Sequence, residues 1–193
     1  MKPRNTAILI FNDVEVLDFA GPFEVFNTAN TEHGENIFNV YTIAEKNGVI
    51  SASNGLKVIP DYSLDDCPPP DILIIPGGIG RKIEMNNPVL LNRIKGKFNS
   101  LEFLLSVCTG SFIVGKTGLL DGLEATTHHY SNDEFEKTFP NIKLIKNTKW
   151  VDNGKIITAA GVSSGINMSL HVVGKLFGEE LKQKTSSHIE FTP

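Results

Sequence analysis

Short apolar segments alternate with longer segments of helical periodicity along this chain. Apolar runs rich in isoleucine and leucine occur at Thr6 to Phe11, Asp71 to Pro76 and Leu101 to Val107, and a further strand is predicted at Phe38 to Ala44. Continuous apolar runs of this kind are typical of strands that are covered on both faces in a parallel sheet. Because helical segments separate the strands, the pattern predicts an α/β fold with a mostly parallel sheet between helices.

Three helices are expected to follow the first strands. The segment FAGPFEVF repeats phenylalanine at three- to four-residue spacing, and Pro22 suits the first turn of a helix that begins at Phe19. Asn87 and Pro88 are suited to be the cap and the first residue of the next helix. The apolar segment after Val107 should be helical until a glycine ends it, at Gly118.

The second half of the chain contains two more predicted helices. SNDE at 131–134 matches a capping box, which predicts a short helix to Thr138. The apolar segment 166–178 predicts a buried helix, and Ser163 or Ser164 is expected to cap it. No element is assigned to the polar residues after it.

Two hairpins are also expected in this sequence. Asn54-Gly55 lies between alternating runs and predicts a two-residue turn, and a second hairpin is predicted around the residues Asp152 to Gly154. The chain contains no internal repeat, low-complexity tract or linker. We therefore expect a single domain over residues 1–193.

Composition limits the possible partners and the location of this protein. The 193 residues are 40% hydrophobic and 21% charged, as in ordinary globular proteins. A net charge of −4 without a basic run argues against nucleic acid as a partner, and the absence of a long apolar run argues against a membrane span. Two cysteines and no apolar leader segment indicate a reducing cytosol, although a Cys67–Cys108 disulfide stays open.

Cys108 is the first candidate for chemistry. In LLSVCTGSF it stands between an apolar strand and a small residue and glycine that open a helix, as in a nucleophile elbow. The amino terminus of a helix favours the thiolate and lowers the pKa of a cysteine placed there. This reasoning predicts a nucleophile, and the alternative is a small buried hydrophobic residue.

Asp18 is the second candidate. It follows the first strand, and the carboxyl ends of parallel strands share one edge of the sheet, so Asp18 should approach Cys108. A carboxyl group beside a thiolate tends to retain its proton, which suits a general acid. The alternative role is to cap the helix that begins at Phe19, and the two roles are compatible.

Glycines and histidines complete the candidate site. The backbone amides of Gly77 and Gly78, with that of Thr109, could form an anion-binding hole. His128 and His129 follow a short apolar stretch without a metal-ligand spacing around them, so we expect no bound metal.

Five segments in order, VLDFAGPFEVF, IIPGGIG, SVCTGSF, ATTHH and AGVSSGIN, resemble the ThiJ/PfpI family of the class I glutamine amidotransferase-like superfamily. The resemblance spans nearly the whole chain. It implies a flavodoxin-like three-layer sandwich, a nucleophilic cysteine on an elbow and assembly as a homodimer.

The resemblance also suggests an activity. Peptidase members carry histidine directly after the cysteine, where this chain has Thr109, so peptidase activity is not expected. Asp18 together with Cys108 and Thr109 resembles the members that hydrate isonitriles to formamides without a cofactor. There the cysteine attacks the isonitrile carbon and the aspartate handles the proton.

The resemblance to these members implies a small-molecule substrate. The walls of its binding pocket are expected to include Phe19, Ile79 and His128 beside Gly77 and Gly78. The same motifs occur in the sensing domain of AraC-type regulators. A ligand-binding module without catalysis is therefore the main alternative, and another amidotransferase-like hydrolase is the second.

Overall fold

The computed structural model describes residues 2–192. Within them the chain forms these strands: β1 (Arg4–Leu9), β2 (Phe38–Ala44), β3 (Ile50–Ser51), β4 (Lys57–Val58), β5 (Tyr62–Ser63), β6 (Ile72–Ile75), β7 (Phe103–Val107), β8 (Glu124–Ala125), β9 (Lys143–Leu144), β10 (Trp150–Asp152) and β11 (Ile156–Ala159). The α-helices are α1 (Val16–His33), α2 (Arg81–Glu84), α3 (Pro88–Lys97), α4 (Gly110–Lys116), α5 (Asn132–Thr138), α6 (Ser164–Phe177) and α7 (Glu179–His188).

A seven-stranded sheet in the order β10-β11-β7-β6-β1-β2-β5 forms the centre of the fold. All neighbouring strands in it are parallel except β10, which pairs antiparallel with β11 at one edge. Helices α1, α6 and α7 pack on one another, while α4 contacts α2 and α3. The expected mostly parallel sheet surrounded by helices, the flavodoxin-like α/β fold, is confirmed.

The central strands are buried on both faces, which explains their continuous apolar sequence. Every residue of β6 and β7 is buried, as are the last four residues of β1. Parallel strands end together at one edge of the sheet, and ligands bind at that edge in folds of this kind. Residues that follow β1, β6, β7 and β11 are therefore brought together.

Several local signals are confirmed by the structure. The Asn87 side chain accepts hydrogen bonds from the amides of Val89 and Leu90, at 3.1 and 3.4 Å, and Pro88 is the first residue of α3. Gly118 follows α4 with a φ of 77°, a left-handed conformation that favours glycine. The hairpin after Asp152 is formed by β10 and β11.

The start of α1 differs from the expectation. The helix begins at Val16, before Phe19, so Pro22 lies inside it instead of in its first turn. Proline lacks the amide that would bond to the carbonyl four residues earlier, which here belongs to Asp18. The helix ends normally, because Gly34 adopts a φ of 78° and donates its amide to Asn30 and Thr31.

Three predicted caps and turns are wrong in detail. Ser131 makes no capping hydrogen bond, and Glu134 binds Arg81 instead of closing the box. Neither Ser163, which precedes α6, nor Ser164, its first residue, caps the helix with its side chain. The hairpin at Asn54 has a three-residue connection, Ser53–Gly55, since Ala52 donates its amide to the carbonyl of Leu56.

Two helices were not predicted from the sequence. The short helix α2 follows the glycines of the PGGIG segment. The polar tail forms α7, which buries Leu181, Thr185 and Ser186 and packs on α1 and α6. A largely polar helix is held here by its neighbours rather than by its own apolar face.

Candidate active site

Cys108 occupies a sharp turn between β7 and α4. Its φ is 57°, in the left-handed region that residues with a side chain rarely adopt. Gly110 is needed directly after the turn, because a Cβ atom there would lie 2.1 Å from the carbonyl oxygen of Ile75. The elbow expected from the sequence is therefore present as geometry.

The backbone of Cys108 is held on both sides. Its amide donates to the carbonyls of Ala159 and Ala160, at 3.1 and 2.9 Å. Its carbonyl accepts from the hydroxyls of Thr127, at 3.1 Å, and Ser111, at 3.2 Å. Strain at such a turn persists only where the surroundings fix it, and these four hydrogen bonds do so.

Asp18 lies in the first turn of α1 and is fully buried. Its Oδ2 atom accepts the amide of Gly77 at 2.9 Å, and the carboxyl group lies close to the Cys108 thiol. Its Oδ1 atom has no hydrogen-bond partner among the described residues. Glu15, not Asp18, occupies the cap position, so the capping role is wrong and the approach to Cys108 is present.

Asp18 and Cys108 both bind their protons more tightly than they would in water. Burial raises the pKa of Asp18 to about 7, against the lowering effect of the Gly77 amide. Burial, and next the charge of Asp18, raise the pKa of Cys108 to about 12. We conclude that near pH 7 the pair carries at most one negative charge, and that the two groups titrate together. The expectation that a helix terminus would favour free thiolate is wrong, because burial outweighs it.

Two backbone amides lie near the sulfur. Those of Thr109 and Val162 act to lower the pKa of the Cys108 thiol. Val162 has a φ of 32°, which is unusual for a β-branched residue. A strained residue thus places one of the two amides near the candidate nucleophile.

The glycine amides that were expected to form an anion-binding hole already have hydrogen-bond partners. The Gly77 amide is bound to Asp18, and the Gly78 amide donates to Thr109 Oγ1 at 3.1 Å. The Thr109 amide acts on the Cys108 thiol and lowers its pKa. Gly77 is nonetheless required, since a Cβ atom there would lie 2.6 Å from both the nitrogen and the hydroxyl oxygen of Thr109. These glycines allow close packing around the pair.

A cleft of about 330 Å³ opens onto Cys108. Of the residues expected around the substrate, Gly78, Ile79, Thr109 and His128 line it. Phe19 belongs to the core, and Gly77 and Asp18 lie behind the lining, so the expectation that Phe19 and Gly77 form pocket walls is wrong. The other lining residues were not predicted from the sequence, and they are Glu15, Arg81, Lys82, Ser131, Glu134 and Val162.

Arg81 shows why those residues were missed. It is 4% exposed, donates to Glu134 at 2.5 Å and lies over the ring of Phe112 at 3.8 Å. The partners of Arg81 are distant in sequence, so the spacing of residues does not reveal them. Its position directly after the PGGIG segment is the one local signal.

His128 lies at one wall of the cleft and is half-buried. Burial, followed by the neighbouring His129, lowers its pKa. Its Nδ1 atom accepts the amide of Tyr130 at 3.3 Å, so Nε2 carries the proton in the neutral ring. The ring lies so close to Gly161 that a Cβ atom there would be 2.5 Å from it.

Both cysteines are free, and Cys67 is half-buried and does not line the cleft. The described residues contain no group of three or more histidine, cysteine or acidic side chains arranged to hold a metal ion. Among residues 2–192, no helix has both the length and the apolar character that crossing a membrane requires.

The chain is similar to known proteins in both sequence and structure. A family model described as the DJ-1/PfpI family matches residues 4–175. The chain belongs to this family. In the solved structure of a ThiJ/PfpI family protein from Pseudomonas syringae the whole chain superposes with a TM-score of 0.88, at 25% identity and over 77% of that protein.

Relatives in the family differ in what they do. An isonitrile hydratase from Pseudomonas putida is 29% identical over 96% of this chain and 77% of its own length. The HTH-type transcriptional regulator GbdR of Pseudomonas aeruginosa is 26% identical over 95% of this chain, which spans 50% of the regulator. An AraC family transcriptional regulator from Pseudomonas putida shares the fold, with a TM-score of 0.82 at 17% identity.

Proposed function

We propose that this protein hydrates a small isonitrile to an N-substituted formamide, with Cys108 as covalent nucleophile and Asp18 as proton carrier. The observation that supports it most is the contact between one buried carboxyl group and one thiol behind a cleft. An isonitrile carbon becomes electrophilic only as it gains a proton, so addition of a thiol needs an acid at the same place. The similarity to an isonitrile hydratase points the same way.

The first step adds the thiol across the terminal carbon. Asp18 takes the proton of the Cys108 thiol and delivers it to the isonitrile carbon while the sulfur attacks that carbon. One S–H bond breaks, a C–S and a C–H bond form, and the product is a thioimidate, Cys–S–CH=N–R. Oδ1 of Asp18, which lacks a partner among the described residues, is the oxygen available to carry the proton. A carboxyl pKa of about 7 allows Asp18 to accept and release it near neutral pH.

The second step releases the product. Water adds to the thioimidate carbon, its proton passing by way of Asp18 to the imine nitrogen. The C–S bond of the resulting tetrahedral intermediate then breaks, the hydroxyl proton returns to sulfur, and the formamide leaves. Thr109 lines the cleft, where its hydroxyl accepts the Gly78 amide at 3.1 Å and donates to the Gly78 carbonyl at 3.4 Å, so its role here is to fix the backbone of Gly78, which also lines the cleft.

A ligand-binding module without turnover is the second candidate. Two observations favour it: similar regulators are known, and burial raises the pKa of Cys108 to about 12. The two functions are separated by incubating the protein with several alkyl and aryl isonitriles, following formamide by chromatography and the melting temperature in parallel. The hydratase predicts formamide in many-fold excess over protein. A module predicts a raised melting temperature with the isonitrile recovered intact.

We further propose that two copies of the chain assemble through α1, and that the protein resides in a reducing compartment. On α1, Phe19 and Phe26 are buried, while Leu17 is 39% and Phe23 36% exposed. Exposed apolar side chains on one helix favour contact with a second copy. The two free thiols fit a reducing compartment.

A further inference from the structure

Four charged side chains line the cleft around Cys108, and two of them neutralise each other. Arg81 and Glu134 form an ion pair at 2.5 Å, with the guanidinium covered by Phe112. Glu15 and Lys82 remain. Within residues 2–192 neither of these two side chains makes a hydrogen bond or an ion pair, so both are available to a ligand.

Glu15 lies deeper than Lys82 and nearer the reacting groups. Its amide donates to the Gly77 carbonyl at 3.0 Å, which fixes it against the glycines that reach Thr109. The Glu15 carboxylate raises the pKa of both Asp18 and His128, as a close negative charge does. The side chain is half-buried, whereas Lys82 is exposed. A carboxylate without a partner thus faces the space beside the sulfur.

The charges near the sulfur do not cancel. Asp18 and Cys108 share one negative charge once their first proton is lost, and burial keeps His128 neutral by lowering its pKa. Glu15 adds a second negative charge at the same end of the cleft. The exposed Lys82 offsets part of this at the rim, where water screens its charge most.

We propose that Glu15 makes this cleft select cations, so that the natural ligand carries a positively charged group a few atoms from the carbon that Cys108 attacks. The inference rests on the proposed function for the reaction but concerns only the recognition of the ligand. In chemical terms, the substrate is then an isonitrile with an amine or another cationic substituent.

The test uses charged thiol reagents instead of turnover. In a Cys67→Ser background, the rate of Cys108 modification is measured with 2-aminoethyl and 2-sulfonatoethyl methanethiosulfonate, each normalised to its rate with a free small thiol. We expect the cationic reagent to react faster. In Glu15→Gln the ratio of the two rates should fall by about five- to tenfold at low ionic strength, and by less in high salt.

Two controls accompany this measurement. Glu35→Gln removes an exposed acid outside the cleft and should leave the ratio unchanged, while Lys82→Gln should raise it. An unchanged ratio in Glu15→Gln, or a cationic reagent that fails to reach Cys108, would overturn the proposal. Formamide assays decide the reaction separately: a charge preference without turnover leaves Glu15 as a recognition residue and removes the hydratase.

Discussion

The carboxyl group of Asp18 lies beside the thiol of Cys108, and of these two residues only Cys108 lines the cleft. A ligand in the cleft therefore meets the sulfur first, with the proton carrier beside that sulfur. Burial raises the pKa of both groups. The thiol therefore stays protonated at neutral pH, while Asp18, with a pKa of about 7, can take up and release a proton there, which suits reagents that gain a proton as they are attacked.

Replacing Asp18 should have opposite effects on alkylation and on hydration. The Asp18 charge is the second cause of the raised pKa of Cys108, after burial, so Asp18→Asn should lower the pH at which iodoacetamide modifies Cys108. The same variant should lose isonitrile hydration by about 100-fold or more, because the acid is gone. Alkylation against pH in a Cys67→Ser background measures the first effect, with Asp13→Asn as control. If the midpoint pH for alkylation of Cys108 in Asp18→Asn is equal to or above that of the wild type, the effect of the Asp18 charge on the thiol is contradicted.

Simple alkylation at pH 7 should favour Cys67 over Cys108. Cys67 is half-buried, whereas Cys108 is 6% exposed with a pKa of about 12. This reverses the order that the helix terminus alone suggested. Peptide mapping after brief treatment with iodoacetamide measures both sites. Faster modification of Cys108 would show that the thiolate is stabilised in the fold after all.

The buried acid should reduce stability above neutral pH. The folded pKa of Asp18, about 7, lies above its ordinary value of 3.8, so its favourable contribution is complete below pH 3.8 and is lost as the pH rises through 7. In urea unfolding at pH 8, the free energy of unfolding of Asp18→Asn should therefore exceed that of the wild type by on the order of 2–4 kcal/mol. At pH 4 the difference should be much smaller. Equal differences at both pH values would refute the buried, raised pKa.

At position 162, glycine should give a more stable protein than alanine, which is the reverse of the usual order. At a φ of 32°, alanine keeps the strain of a Cβ atom, while glycine relieves it. Val162→Gly is expected to be about 1 kcal/mol more stable than Val162→Ala in urea, the reverse of an ordinary position. Val89, in the first turn of α3, provides the control, because there the alanine variant should be more stable than the glycine variant.

Light scattering should report about twice the 21.1 kDa mass of one chain at micromolar protein. Phe23→Glu places a charge on the exposed side of α1 and is expected to yield the monomer mass. Tyr130→Glu changes an 88% exposed side chain that is not part of α1 and should leave the dimer intact. A wild-type mass near that of one chain would contradict assembly.

Local sequence signals predicted the parts of this fold that depend on neighbours in the chain. The central strands, the Asn87 cap and the Gly118 stop follow from burial on both faces and from backbone geometry. The capping box at Ser131 failed because Glu134 binds Arg81, 53 residues away. Helix α7 was missed because its few buried residues rest on α1 and α6 rather than on an apolar face of its own.

The candidate site was predictable in its positions and not in its electrostatics. The motifs around Asp18 and Cys108 place both residues at one edge of the sheet, where the structure has them in contact. Burial of the thiol, which reverses its expected pKa shift, arises from elements distant in sequence. The amides of Gly77 and Gly78 likewise have partners that only the folded chain provides.

Covalent catalysis by Cys108 is the central claim, and formamide production by Cys108→Ala beside Cys67→Ala tests it most directly. Both variants remove one thiol, and both are assayed with the same isonitrile at the same pH. The account predicts turnover near the wild-type rate for Cys67→Ala and none above the uncatalysed rate for Cys108→Ala. Formamide production that survives in Cys108→Ala would contradict it.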